Sequence, residues 1–209
     1  MKSMEIIEAW LKVQAVWLYL EPVFQSDDIK EQLPREAILF LEVDKAWRKL
    51  IEKVVMDPKA LTVTKLENLI ETLDDCNAKL DNVTKRLNQY LERKRKNFPR
   101  FFFLSNEELL EILSETKEPL RVQKHLKKCF EGINALEFDS EKKIHGMESP
   151  EGEKVKFVNI VDPMATNGAV EVWLGEVEET MVKSVRDVVS RCIIDYTKRR
   201  RDQCNIQHI

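Results

Sequence analysis

The clearest pattern in the chain is a stripe of apolar residues at alternating spacings of three and four. Its members are Leu66, Leu69, Leu73, Cys76, Leu80, Val83, Leu87 and Tyr90. Such an a/d repeat is typical of a long helix that packs against other helices. It predicts a helix over residues 64–96, roughly 50 Å long at 1.5 Å per residue. Either a second chain or neighbouring helices could cover the stripe, and the Trp-rich segments before it favour a bundle within the chain.

Two segments before the stripe predict helices with one apolar face each, because their apolar residues recur every three to four positions. The first face comprises Ile6, Ala9, Trp10, Val13, Val16, Trp17 and Leu20. The second comprises Ala37, Ile38, Leu41, Ala46, Trp47, Leu50, Ile51, Val54 and Val55. Pro22 predicts the end of the first helix, and Pro34 suits the first position of the second. Asp57-Pro58 predicts where the second helix ends.

The helical pattern is interrupted at Asn97-Phe98-Pro99. Pro99 lacks an N–H group and disfavours helical backbone at the residue before it, so the long helix should end here. Ser105 and Glu108 have the spacing of a capping box and predict a new helix start. The intervening apolar residues are Phe98, Phe101, Phe102, Phe103 and Leu104. This run is too apolar for a solvated loop, and it predicts a buried joint that holds two helices at a fixed angle.

The remainder of the chain predicts two short helices, a β-hairpin and a last long helix. The short helices are expected over residues 106–114 and 121–133. Short apolar runs then flank Ser149-Pro150-Glu151-Gly152, which fits a type I turn followed by a left-handed residue. Residues 162–168 favour a flexible linker, and residues 169–198 an amphipathic helix. Its predicted apolar face comprises Val172, Trp173, Val177, Met181, Val185, Val188, Val189, Cys192 and Ile193.

Composition agrees with a mainly α fold: an elongated bundle of long antiparallel helices with one small β-hairpin. The chain has 209 residues, 43% hydrophobic and 34% charged, with only five glycines and seven prolines, which favours few, long elements. A net charge of −3 provides no general attraction to nucleic acid or anionic membranes. We find no signal peptide and no run suited to a membrane span. Four widely separated cysteines indicate reduced, intracellular thiols.

Chemical motifs are sparse, and we expect no catalytic, cofactor or metal site in this segment. The five glycines have neither P-loop nor dinucleotide-binding spacing, so the segment should not bind ATP. His125 and Cys129 lie four residues apart, but two ligands do not make a zinc site. The basic residues 93–100 beside several phenylalanines could bind single-stranded nucleic acid. Cations at a helix C-terminus have a simpler structural explanation, because they interact with its dipole and free carbonyls.

Five motifs resemble the linker region of dynein heavy chains, and the axonemal ones most. They are VQAVWLYLEPVFQSDDIKEQLP from Val13, FLEVDKAW from Phe40, FPRFFFLSNEELLEIL from Phe98, HLKKCFEGINALEF from His125 and SPEGEKV from Ser149. They occur in family order, and the resemblance spans roughly residues 8–182. The tail after Asp195-Tyr196 departs from the family pattern.

The resemblance implies a mechanical linker that lies across a ring of ATPase modules and changes its bend with nucleotide state. Straightening would be the power stroke along a microtubule. The ATP sites of the family lie in the ring, so this segment would not be an enzyme, although the parent motor is a microtubule-stimulated ATPase. Implied partners are the AAA+ ring of the same heavy chain, microtubules, and dynein intermediate and light chains. The implied location is the cytoplasmic cytoskeleton, in the axoneme of a cilium or flagellum.

Three sites follow as expectations. A rigid joint comprises Phe98, Pro99, Phe101, Phe102, Phe103, Ser105 and Glu108. The resemblance implies a contact between the hairpin and the ring through Met147, Pro150, Glu151 and Gly152. A pivot is predicted at Asp162, Pro163 and Gly168 and at the start of the last helix, with the first bundle moving as one body.

The expected domains are a helical bundle over residues 1–134, a hairpin insertion over 135–162 and, over 163–209, the long helix and tail of the next linker subdomain. Two other functions stay open at this stage. One is a helical adaptor that binds proteins through the Leu66–Tyr90 stripe. The other is a helical module that binds nucleic acid through residues 93–100.

Overall fold

The structure is a computed structural model that describes residues 2–64, 66–114, 118–166 and 169–196, without the side chains of residues 2, 3, 60 and 61. The α-helices are α1 (Lys2–Val23), α2 (Asp27–Gln32), α3 (Pro34–Met56), α4 (Ala60–Val63), α5 (Leu69–Asn97), α6 (Asn106–Leu113), α7 (Gln123–Cys129) and α8 (Val170–Tyr196). Short 3₁₀ helices cover Pro99–Phe103, Pro119–Val122 and Pro163–Thr166. The strands are β1 (Ala135–Phe138), β2 (Ile144–Glu148) and β3 (Lys154–Val161). The mainly α class is confirmed.

By internal contacts the chain divides into two compact units, Met1–Glu92 and Arg93–Ile209. The division falls within α5, whose last residues belong to the second unit. It groups residues 93–134 with the sheet and α8, whereas the sequence-based division placed them with the first bundle. The domain boundaries at residues 134 and 162 stay predictions.

The first unit is a three-helix bundle in which α1 runs antiparallel to α3 and parallel to α5. Ring contacts join Phe24 to Phe40 at 5.1 Å and Trp10 to Trp47 at 4.8 Å. The Nδ2 of Asn77 on α5 donates to the Ala9 carbonyl of α1 at 3.1 Å. The seven members of the predicted stripe from Leu69 to Tyr90 are all buried. The bundle within the chain is therefore confirmed.

Two details of this bundle differ from the prediction. Helix α5 begins at Leu69 rather than near residue 64, because Asn68 has a positive φ of 55° that ends the preceding turn. The Asn68 carbonyl then accepts from the Thr72 N–H and hydroxyl. In α1, Pro22 lies inside the last turn, and the helix ends at Val23.

The buried face of α3 differs from the predicted face. Ile38, Leu41 and Val55 were placed on it, but all three are exposed. The buried residues are Phe40, Val43, Trp47 and Leu50, which recur at spacings of three and four. Helix α3 is apolar on more than one side, so its periodicity did not identify a single buried face.

The second unit contains a three-stranded antiparallel sheet in the order β1-β2-β3, rather than a single hairpin. The predicted turn between β2 and β3 is confirmed, since Gly152 has a φ of +87° and its N–H donates to the Ser149 carbonyl. The unpredicted strand β1 is joined to β2 by a turn without glycine. There Asp139 Oδ1 accepts from the N–H groups of Glu141 and Lys143, and Lys142 adopts a φ of +64°.

The remaining helices of the second unit are shorter or less buried than expected. The single helix expected over residues 121–133 is a 3₁₀ helix followed by α7, which ends at Cys129. Helix α8 buries its first half, including Val170, Trp173 and Val177. Four members of its predicted apolar face are exposed: Val172, Val185, Val189 and Ile193. In the described part of the chain, no helix combines the length and apolarity needed to cross a bilayer.

Candidate functional site: a clamped joint

The joint after α5 has an aromatic core. In the 3₁₀ helix Pro99–Phe103, side chains three residues apart lie on the same face. Phe98, Phe101 and Leu104 have this spacing, and all three are buried. The rings of Phe98 and Phe101 meet edge to face at 4.9 Å, and Phe130, just after α7, lies 6.0 Å from Phe98.

Phe102 and Phe103 were expected in the same core, but they are 60% and 69% exposed. With three residues per turn they fall on the other two faces of the 3₁₀ helix, away from the face of Phe101. A run of adjacent phenylalanines therefore cannot be buried on one side. This part of the predicted joint is wrong.

The predicted capping box is present at the start of α6. Ser105 Oγ accepts from the Glu108 N–H at 3.2 Å, and Glu108 Oε2 accepts from the Ser105 N–H at 3.0 Å. Lys128 Nζ lies 2.5 Å from the other carboxylate oxygen. The hydrogen bond from Lys128, followed by that from Ser105, lowers the pKa of Glu108 below its ordinary value.

Arg95, in the last turn of α5, fixes the path of the chain through the joint. Its side chain is buried, and Nη2 donates to the Leu104 carbonyl at 3.2 Å and to Asn106 Oδ1 at 2.8 Å. One guanidinium group thus connects the end of α5 with both the exit of the 3₁₀ helix and the first residue of α6.

A mostly buried ion pair connects the last turns of α5 with the first turn of α8. Lys94 Nζ lies 2.5 Å from Glu171 Oε1, and both side chains are largely shielded from solvent. The other oxygen of Glu171, Oε2, is buried without a hydrogen bond among the described residues. A buried charge without its partner is strongly unfavourable, so Lys94 and Glu171 hold each other in place.

Arg100 makes the second connection to α8. Its Nε and Nη2 donate to Glu178 Oε1 at 3.1 and 3.0 Å. Its Nη1 donates to the Cys129 carbonyl at 2.9 Å, and its guanidinium lies 4.8 Å from the centre of the Phe130 ring. One side chain therefore joins the 3₁₀ helix, the end of α7 and the third turn of α8.

These contacts explain much of the basic cluster. Lys94, Arg95 and Arg100 bind carboxylates, carbonyls and an amide oxygen within the chain, so they are not free to contact phosphates. Cys129 is buried, and desolvation raises the pKa of its thiol to about 11. His125 Nε2 lies 3.1 Å from Glu111 Oε2. Among the described residues, no group of His, Cys, Asp and Glu is arranged to hold a metal ion.

The predicted ring contact lies at the tip of the β2–β3 hairpin. Pro150, Glu151 and Gly152 are exposed, and Met147 on β2 is half-buried. Ser149 Oγ accepts from the Glu151 N–H at 3.2 Å and donates to its carboxylate at 3.0 Å. The turn therefore presents its exposed residues in a fixed conformation.

The predicted pivot, at residues 162–168, connects strand β3 to helix α8, and these two elements are in direct contact. Asp162 Oδ1 accepts from the Met164 N–H at 2.9 Å, and Pro163 is buried at the start of a 3₁₀ helix. Gly168 lies outside the described residues. The Val158 N–H of β3 donates to Ser184 Oγ on α8 at 3.0 Å, so strand and helix are held together directly.

The ion pairs Lys94–Glu171 and Arg100–Glu178 together form a clamp between the joint and α8. The sequence did not predict the two glutamates of this clamp. No motif in the sequence singles out Glu171 or Glu178. The two glutamates lie seven residues apart and therefore share a helix face. Their partners Lys94 and Arg100 lie 77 and 78 residues earlier, and no local pattern connects positions so far apart.

Comparisons with known proteins agree on one family. The family model described as "Dynein heavy chain, N-terminal region 2" matches residues 1–192. Human dynein axonemal heavy chain 12 is 53% identical over 197 residues, which are 94% of this chain and 6% of that protein. Human dynein axonemal heavy chains 3 and 1 are 50% and 43% identical over 201 residues, 96% of this chain and 5% of each relative. The chain thus spans only about one-twentieth of these relatives.

Proposed function

Because the chain belongs to the dynein heavy chain family, we propose that it is a segment of the mechanical linker of an axonemal-type dynein. The observation that carries this proposal is the double clamp of α8 on the joint, through Lys94–Glu171 and Arg100–Glu178. A lever must transmit force without bending between its ends. Sliding of α8 along the joint would separate Lys94 from Glu171 in a poorly solvated site, which is costly, and would also break the half-exposed Arg100–Glu178 pair.

In this proposal, the segment couples ATP hydrolysis in the AAA+ ring of the same heavy chain to movement along microtubules. In this proposal catalysis belongs to the ring, and the sequence of the segment has no glycine-rich phosphate loop. The names of the relatives, dynein axonemal heavy chains 12, 3 and 1, support a location in the axoneme. Intermediate and light chains would be partners of the complete motor rather than of this segment.

We further propose that the hairpin tip contacts the ring. Its support is the rigid turn at Ser149, which presents the exposed Pro150, Glu151 and Gly152. A contact that responds to nucleotide state needs a surface with a fixed shape, and a hydrogen-bonded turn provides one.

The pivot at Asp162, Pro163 and Gly168 stays a prediction. Because β3 and α8 contact each other across this connection, rotation there would have to separate them. A second candidate position lies within α8, after Ser184. Before this point α8 buries Trp173, Val177 and Ser184, and after it no residue of the helix is fully buried.

Hydrogen exchange on the heavy chain separates these two positions. If the bend lies after Ser184, the amides of residues 185–192 should change their exchange rates between nucleotide states more than those of residues 163–166. The opposite ranking would favour the original pivot. Equal rates in every nucleotide state, at both positions, would argue that this segment does not contain the bend.

The lever role is tested by loosening the clamp in a complete heavy chain. Arg100→Ala and Glu178→Ala should each lower the velocity of microtubule gliding while leaving basal ATP turnover close to the wild-type value. Lys183→Ala is a matched control, because Lys183 forms an exposed pair with Glu179 on the same helix. Unchanged gliding in both folded clamp variants would contradict the proposal.

A further inference from the structure

The turn between β2 and β3 contains a serine that is followed by a proline, Ser149-Pro150. The other prolines of the sequence follow glutamate, aspartate, leucine or phenylalanine. Proline-directed protein kinases select a serine or threonine that precedes a proline. Because Pro150 also suits the second position of a type I turn, the surroundings of the Ser149 hydroxyl distinguish a modification site from a purely structural serine.

The Ser149 hydroxyl makes its hydrogen bonds within its own turn. Its Oγ donates to Glu151 Oε2 at 3.0 Å and accepts from the N–H groups of Glu151 and Glu153 at 3.2 and 3.3 Å. Ser149 is half-buried, and the three residues after it are exposed. Ser184 differs, because its Oγ is buried between β3 and α8. The Ser149 hydroxyl can therefore be reached from solvent without disturbing the core.

The turn can open for a kinase while the strands stay paired. Kinases bind the residues around the acceptor serine in an extended conformation. Pairing of β2 with β3 begins at Glu148 and Lys154, outside the turn. Extending the tip breaks the bond from the Gly152 N–H to the Ser149 carbonyl at 3.0 Å and the bonds of the hydroxyl. Exposed turns of this kind open locally at low cost, because water replaces the lost hydrogen bonds.

We propose that a proline-directed protein kinase phosphorylates Ser149, and that the phosphate weakens the contact between the hairpin tip and the ring. The effect on the ring rests on the proposed function. In the transfer, Ser149 Oγ forms a bond to the γ-phosphorus of ATP, and the bond from this phosphorus to the oxygen that bridges to the β-phosphate breaks. The hydroxyl proton passes to the catalytic aspartate of the kinase, and ADP leaves.

The phosphate would enter an acidic environment. Glu148, Glu151 and Glu153 lie within four positions of Ser149, and Lys154 already pairs with Glu148 at 3.5 Å. Phosphorylation adds a charge of about −1.5 to −2 at neutral pH and removes the hydrogen that Oγ donates to Glu151. The 3.0 Å contact thereby becomes a repulsion between two anions. Glu151 is displaced, and the tip changes both its shape and its charge.

The modification itself is tested on the complete heavy chain with a purified proline-directed kinase and Mg-ATP. Mass spectrometry measures the phosphate on Ser149. We expect several-fold more in the wild type than in Pro150→Ala, which retains the hydroxyl but lacks the residue that the kinase selects. Ser140, exposed in the β1–β2 turn and not followed by proline, is an internal control and should stay unmodified. Equal phosphate on Ser149 in both proteins would overturn the inference.

The consequence is measured on the same preparations. Kinase treatment should slow microtubule gliding by the wild type several-fold and raise amide exchange at residues 149–153, because the phosphate disrupts the turn. The same treatment should change neither quantity in Ser149→Ala. A slower treated Ser149→Ala variant would assign the effect to another site and overturn the inference. Unchanged gliding by phosphorylated wild type would overturn it as well.

Failure of the ring contact gives a different result. If residues 149–153 of the untreated heavy chain exchange at the same rate in every nucleotide state, the tip does not respond to the ring. That result overturns the ring contact and, with it, the effect of the phosphate on gliding. Exchange that depends on nucleotide state, combined with no phosphate on Ser149, overturns only the present inference.

Discussion

The two compact units of this chain use charge in opposite ways. Among the described residues of Met1–Glu92 no buried side chain is charged, and ion pairs such as Lys12–Asp81 lie on the surface with both partners more than half exposed. In the unit that begins at Arg93, Lys94 and Glu171 are largely buried between the last turns of α5 and the first turn of α8.

The difference follows from the lengths of the elements. Long helices in the first unit align continuous apolar stripes, which are sufficient to define their packing. The joint, α6 and α7 of the second unit are too short to carry such stripes. Buried, directional contacts from a few cations fix their positions instead. A buried ion pair adds little net stability, but the loss of one partner is costly, so the second unit should tolerate fewer single substitutions at charged positions.

The largest expected effect is the loss of one charge from the buried pair. Lys94→Met should destabilise the protein by about 3–5 kcal/mol, because Glu171 remains buried without its cation. Urea unfolding of the purified chain measures the effect. The double variant Lys94→Met with Glu171→Leu should recover most of the loss. The exposed Lys183→Met should change stability by less than about 1 kcal/mol. Equal effects of Lys94→Met and Lys183→Met would remove the contrast between the units.

The matching experiment in the first unit removes apolar volume. Leu80→Ala should cost about 2–5 kcal/mol, since Leu80 is completely buried in the α5 stripe and its truncation leaves a cavity. Leu11→Ala, on the exposed side of α1, should have little effect in the 209-residue chain. Sizing at several concentrations accompanies the unfolding measurement. A dimer that dissociates on Leu80→Ala would show that the stripe is an interface between chains.

A smaller effect is expected at the start of α6. Ser105→Ala removes one half of the capping box and should cost about 1 kcal/mol. Ser105→Asp, which retains an acceptor for the Glu108 N–H, should preserve most of the stability. Urea unfolding followed by circular dichroism compares the two variants. If alanine and aspartate behave alike, the cap does not contribute to the rigidity of the joint.

The smallest effect concerns pH. The pKa of Glu108 is lowered from its ordinary value of 4.5, chiefly by Lys128. Its contribution to stability is therefore present above about pH 4.5 and is lost as the pH falls below that value, through the folded-state pKa. Glu108→Gln should flatten this part of the stability profile between about pH 6 and pH 3. An unchanged acid slope in urea unfolding would show that the Lys128 contact is too exposed to matter.

Periodicity predicted the bundle well because its helices are long and its stripe is nearly ideal. It failed at Ile38 and Leu41, where α3 is apolar on two sides and burial depends on which neighbour is present. The capping box at Ser105 was readable because its two partners are three residues apart. The turn at Asp139 was missed because its left-handed residue is Lys142 rather than glycine.

The clamp could not be predicted, for a different reason. Its ion pairs join α8 to residues almost eighty positions earlier. No local pattern in a single sequence predicts which cation pairs with which carboxylate over such a distance. The aromatic joint was only half predicted. The composition of residues 98–104 indicated a buried cluster, but the three-residue turn that exposes Phe102 and Phe103 depends on the 3₁₀ backbone, which an apolar run does not specify.

Helix α8 is buried in its first half and exposed in its second, and this difference affects how the second half becomes helical. Val185, Val189 and Ile193 are β-branched and lower the intrinsic helix propensity of this stretch. Starting a helix is costly, whereas extending an existing one requires only the ordering of each added residue. The first half of α8, held by Glu171, Glu178 and Ser184, therefore serves as a permanent nucleus. The exposed turns beyond it can unwind and rewind rapidly without a new nucleation event.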